Sequence, residues 1–223
     1  MFSWKSFRRR RSVRWLQSNL CYIILLLILF YVWSSIRSAH EQSLTCTTMS
    51  EDTYQTEMHR FVNKVHLILD KLRITHFLCY NALWGQIRYK RMFPWQREIE
   101  ICIVRKSEHS LTGLEEIFQY ADIDIIYRGR RAEYLLNTEY LRGRVNLIVF
   151  QLDPISSTYF RPGWQYRVMP GEMFPSYLLG NESHSLPLKP FGPYHLPVPL
   201  HDMEIQKYHF PDTWWKGEDP LFC

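Results

Sequence analysis

Apolar residues recur at Tyr54, Met58, Phe61, Val62, Val65, Ile68, Leu69 and Leu72, a three-and-four spacing that predicts an amphipathic helix over Thr53–Thr75 with one buried stripe. The period then changes. "HFLCY" reads as a strand, "ALWGQIRYKR" as a turn and short helix, and "EIEICIV" as a strand on which Glu98 and Glu100 share one face while Ile99, Ile101 and Ile103 share the other. A helix around "LTGLEEIFQY" follows, then strand-like "IDIIYR", an "RGRR" turn, "AEYLL" and a buried strand, "RVNLIVFQL". Alternating helices and strands predict an α/β domain with a mixed sheet. Pro187, Pro190, Pro193, Pro197 and Pro199 punctuate the last third, which predicts an extended segment wrapped over the surface or, alternatively, a proline-rich ligand for another domain. "DMEIQKYHF" offers one more short helix before "PDTWW".

Upstream of all this the pattern is neither helical stripe nor alternation. Leu20 to Ile36 carries no charge and is almost wholly apolar, long enough for a short transmembrane helix and suited to the thinner bilayers of the early secretory pathway. Lys5, Arg8, Arg9, Arg10, Arg11 and Arg14 precede it with no acid among them, and Arg37 follows. The positive-inside bias therefore predicts a type II signal anchor. The expected organisation is a cytosolic basic tail (1–19), a transmembrane segment (20–36), a stem (37–52) and a luminal domain (53–223), in the membrane of the Golgi or the endoplasmic reticulum. A signal peptide cleaved near Ala39 is the alternative.

Charge and cysteines change the picture only slightly. The formal net charge is +5, but the six basic residues of the tail account for it, so the body is not basic and no nucleic-acid partner is expected. Cys21 falls in the span, which leaves Cys46, Cys79, Cys102 and Cys223 where disulfides are permitted. Cys79 and Cys102 lie in strand-like apolar runs that also suit reduced core residues, so no bridge is assigned. Asn181 heads the sequon "NES" and is the expected glycosylation site.

The chemistry concentrates in two glutamates. Side chains two apart on one strand face lie within roughly 7 Å of each other, so Glu98 and Glu100 repel unless they meet water, salt-bridge partners or a cation. Around them, "NALWGQIR" is followed after a short gap by "PWQREIE". This resembles the LicD/fukutin family, whose core carries a "G-T/S-L-L-G-x-x-R" turn and helix and then "P-W-D-x-D-h-D". Leu83, Gly85, Arg88, Pro94 and Trp95 match. "RVNLIVF" resembles the family's later strand, and "LPVP" with "YHFPDTWW" its carboxy-terminal landmarks, so the likeness runs from His76 to Trp215.

The resemblance implies a nucleotidyltransferase-like fold and transfer of an alditol-phosphate or phosphocholine-type group from a CDP-linked donor to a sugar hydroxyl of a glycan or glycoprotein acceptor. It implies Glu98 and Glu100 as catalytic ligands of Mg2+ or Mn2+, with Asn146 assisting. Arg88 orients donor phosphate, and Asn81, Trp84, Gly85 and Trp95 line the substrate site. A cation held by carboxylates neutralises a pyrophosphate donor and stabilises its leaving group, and an arginine can clamp phosphate through two donors. The departures cut the other way: family aspartates stand here as Gln96, Glu98, Glu100 and Asn146. The alternative implied is an inactive relative that binds glycan or nucleotide, or assists an active one.

Other candidates read more blandly. Asp153 offers a late ligand. Arg128, Arg130, Arg131, Arg142 and Arg144 read as solvated loop charges before phosphate ligands. His184, His195, His201 and His209 match no compact zinc spacing and read as surface or packing residues. Trp214 and Trp215 are expected to close a core.

Overall fold

The protein is described from a computed structural model, which covers residues 22–33, 51–105, 111, 113–163, 166, 172–180 and 186–215. Residues 22–33 form helix α1 with every side chain exposed. That stretch is about 18 Å long at 1.5 Å per residue, and among the described residues no helix is long and apolar enough to cross a membrane. The expected anchor over Leu20–Ile36 is therefore not found as a spanning helix; its ends, with Asn181, Cys46 and Cys223, lie outside the described residues. The chain divides into two units, and the folded body is Met49–Pro220.

The body is a mixed α/β structure. Helix α2 (Glu51–Lys71) leads into β1 (His76–Leu78), α3 (Tyr80–Tyr89), β2 (Glu98–Arg105), α4 (Leu114–Tyr120), β3 (Asp124–Arg128), β4 (Glu133–Thr138) and β5 (Leu141–Asp153). Then come β6 (Thr158–Phe160), β7 (Met173–Pro175), β8 (Leu188–Phe191), β9 (Tyr194–Pro197) and α5 (Asp202–His209). The main sheet runs β1-β2-β5-β4-β3, with β6 on the far end of β5 and β7 beside β6. Only β2 and β5 are parallel; the other neighbours are antiparallel. At 13 residues, β5 is long enough to serve β2, β4 and β6.

Helix α2 buries the expected stripe of Tyr54, Met58, Phe61, Val62, Val65 and Leu69, while Ile68 and Leu72 are only partly covered. It ends sooner than Thr75. The Ile74 amide reaches back to the Leu69 carbonyl (2.9 Å), and Arg73 takes a left-handed φ of 55°, a helix stop normally made by glycine. The proline-rich segment is more regular than expected: β8 and β9 pair as a hairpin turning at Gly192 (φ 63°). Phe191, Leu196 and Val198 are buried, so the segment docks as part of the core. Trp215 is 59% exposed and Trp214 half-buried beneath Lys207, so the tryptophan pair does not close a core.

Cys79 and Cys102 form a disulfide across the start of α3 and the middle of β2, with Cα atoms 5.8 Å apart. The apolar setting that made them resemble reduced core residues is real, since both are fully buried. What the sequence did not disclose is the pairing of β1 with β2 that sets Phe77 opposite Cys102 and so brings the next residue but one within reach.

Candidate functional site

The first three residues of β2 have one open face. Glu98 and Glu100 are half-exposed and Ile99 is buried, whereas Ile101 to Val104 are buried on both faces. The register of the parallel pair sets Glu98 opposite Arg144 and Glu100 opposite Asn146. Helix α3 starts beside them, because the Cys79 amide donates to the Glu100 carbonyl at 3.3 Å.

The glutamates escape mutual repulsion through donors. Arg144 pairs with one carboxylate oxygen of Glu98, and the Asn146 amide nitrogen donates to the other at 2.9 Å. Gln96 donates to the Glu100 carboxylate at 3.1 Å and to the Glu98 carbonyl at 2.6 Å. The two amides, Gln96 and Asn146, are thus groups that hold the two carboxylates. An aspartate at either position would add a third negative charge; an amide adds an N–H donor.

Each amide has a second end. The side-chain oxygens of Gln96, Asn146 and Asn81 are buried and have no hydrogen-bond partner among the described residues. Such orphans are uncommon in folded proteins, and two of them adjoin Glu100, Asn146 opposite it in register and Gln96 bonded to its carboxylate, while Asn81 stands in the first turn of α3. Beside them the Nε–H of Arg144 is a buried donor that likewise has no partner among the described residues, so the set holds spare acceptors and a spare donor.

The remaining predicted residues make contacts of their own. Gly85 is required by packing, since a Cβ there would sit 2.6 Å from the Arg91 carbonyl oxygen. Trp84 is buried with the Arg88 guanidinium 4.4 Å above its ring, which sets Arg88 by a cation–π contact. Trp95 stacks on Phe93 at 5.0 Å. Asp153 is not brought to the site; its carboxylate caps a turn through the Ile155 amide (3.1 Å) and the Ser156 hydroxyl (2.7 Å). His195 and His201 are exposed, and His209 is buried against the Tyr80 ring at 4.0 Å. Arg128 and Arg131 lie 3.7 and 3.8 Å from Glu133. Sequence reasoning missed Arg144 as a partner of Glu98; only the register of β2 on β5 could have found it.

As a divalent-cation site the set is short of charge. Glu98 is engaged on both oxygens, a guanidinium stands beside it, and no group of three or more His, Cys, Asp or Glu side chains among the described residues is arranged to hold a metal. Magnesium asks for near-octahedral oxygen geometry, which these residues do not offer as placed. Comparison with protein-family models and with curated proteins finds no match to this chain.

Proposed function

We propose that the chain is a single-pass type II protein of the Golgi or endoplasmic-reticulum membrane whose luminal, nucleotidyltransferase-like domain is a LicD/fukutin-like module turned from phosphotransfer to glycan binding. The Cys79–Cys102 bridge supports an oxidising compartment. The observation that carries the function is the set of orphaned amide oxygens of Gln96 and Asn146 beside Glu100, together with the unpartnered Nε–H of Arg144. Spare acceptors beside a spare donor suit the hydroxyls of a sugar, each of which both donates and accepts, and two carboxylates on the same face disfavour the anionic phosphates of a CDP-linked donor. Glu98, held by Arg144 and Asn146, positions the amides and takes no part in chemistry.

The same oxygens favour a second reading. Gln96 and Asn146 carbonyl groups beside two carboxylates are also hard oxygen ligands, so a chain in which Arg144 swings away would let Glu98, Glu100 and Asn146 hold Mg2+ or Mn2+. Arg88 would then orient the donor phosphate in a phosphotransferase. One experiment separates the two. Full-length protein in detergent is screened on an array of oligosaccharides, and is also incubated with a CDP-linked alditol in the presence of those oligosaccharides as acceptors, each with Mn2+ and with chelator. Retention of oligosaccharide that chelator does not abolish, with no CMP released, is the expected result. Metal-dependent release of CMP would overturn it in favour of catalysis.

A further inference from the structure

Strand β3 closes one side of the main sheet: it pairs with β4 and, among the described residues, with no strand beyond. Natural edge strands are usually blunted by proline, lysine or a bulge. This one, "DIIYR", has no proline, lysine or bulge and carries charge only at its two ends, Asp124 and Arg128, and its pairing with β4 is regular from Asp124↔Asn137 to Arg128↔Glu133. At its centre Ile126 is 56% exposed and Tyr127 46%.

The charges around that apolar centre are arranged with opposite sign at the two ends. Asp122 and Asp124 precede it; Arg128 and Arg130 follow, and all four are exposed. Laid antiparallel against itself with Ile126 on the two-fold axis, the strand sets Asp124 opposite Arg128 of the second copy, Ile125 opposite its Tyr127, and Ile126 opposite its own counterpart. Directly opposed residues share a face and lie about 4.5–5.5 Å apart, so each aspartate meets an arginine and the two Ile126 side chains cover each other. Arg128 can meet this new partner easily, because its contact with Glu133 is long, at 3.7 Å, and Glu133 is already held by Arg161 at 2.9 Å. A parallel arrangement would put like charges together.

We propose that β3 is the dimer interface of this protein and that its occupant is β3 of a second copy, joining two sheets into one across an isologous two-fold contact. The proposal is independent of what the polar face of β2 binds.

The test uses full-length protein in detergent, with mass read by light scattering. Wild type gives two chains. Asp124→Arg, an exposed change that leaves the edge wholly basic, gives one chain, as does Arg128→Asp, which leaves it wholly acidic; an equimolar mixture of the two gives a mixed dimer. Because Arg128→Asp stands beside Glu133 and could impair folding, Ile126→Cys supplies a reading that does not need it. Mild oxidation links the two chains through residue 126, identified by peptide mapping, and the link is lost when Asp124→Arg is added. A single-chain wild type, a dimer unmoved by Asp124→Arg, or an Ile126→Cys protein that does not cross-link would each overturn the proposal.

Discussion

Two ionic networks grow from the same sheet and differ in how completely they are closed. Around Arg161 every group is paired. Its guanidinium meets Glu133 at 2.9 Å and Glu172 at 3.4 Å, its Nε donates to the Arg131 carbonyl at 2.7 Å, and the plane lies 4.1 Å from the Tyr166 ring. Tyr80 completes it by donating to Glu172 at 2.6 Å; burial first, and then the Glu172 charge, push its phenol well above the ordinary range, so it remains a donor. Arg161 and Glu133 are both under 10% exposed. The network around Glu98 and Glu100 is half-exposed and leaves the amide oxygens of Gln96 and Asn146 and the Nε–H of Arg144 without partners among the described residues. A closed, desolvated network fixes structure, because each charge depends on its partner. An open one with spare acceptors and a spare donor is positioned by its surroundings and has capacity left for a ligand.

The sharpest way to break that contrast is to remove the central cation of each. Arg161→Met strands Glu133 and Glu172 without their partner and is expected to cost about 3–5 kcal/mol in denaturant unfolding. Arg144→Met opens a pair whose members are 38% and 42% exposed, and is expected to cost no more than about 1 kcal/mol. Equal losses would mean that the two networks are the same kind of object.

Next in size is the scaffold that positions the open face. Cys79→Ser with Cys102→Ser removes a bridge over a sequence separation of 23, worth about 3 kcal/mol through the unfolded chain. It also frees the start of α3 beside Glu100, so oligosaccharide retention should weaken along with stability, as calorimetry and the array would both record.

Acid sharpens the contrast at the same edge. His76 donates from Nδ1 to the Ile74 carbonyl and accepts from His66, both at 2.7 Å, and burial above all lowers its pKa to about 4. Asp70, which opposes the shift, is the nearby acid. The unfolded chain, with a histidine near 6.5, binds the proton more readily than the native one. The stability tied to neutral His76 is therefore complete above pH 6.5 and falls as pH drops toward 4, by about 2 kcal/mol at pH 5. His76→Phe should flatten that part of the profile, measured as unfolding free energy between pH 7 and pH 5.

Much of the fold was legible beforehand. The stripe on α2, the alternation in "EIEICIV" and the uninterrupted run in "RVNLIVFQL" are local signals, and they gave α2, β2 and β5 nearly at their observed bounds. The stop after Lys71 was hidden because Arg73 takes the left-handed position usually held by glycine. The site was half legible: two glutamates on one face follow from the period of a strand. Their partners do not, since Arg144 and Asn146 reach Glu98 only through the register of two strands more than forty residues apart. The roles of Gln96 and Asn146 as donors to the acids, where Asn146 had been expected to assist a metal, needed coordinates.

The most direct test of the central claim is a set of melting curves for wild type and for Glu98→Gln with Glu100→Gln, each alone and with saturating Mn2+ and CDP. A ligand that binds the native state at a hundred times its dissociation constant adds about 2.7 kcal/mol. We expect Mn2+ and CDP to leave the wild-type curve in place, and the double variant to unfold within about 1 kcal/mol of it, since Glu98 and Arg144 are both partly exposed. A wild type raised by Mn2+ with CDP, and a double variant that loses the rise, would contradict the account and make the two glutamates ligands of a metal.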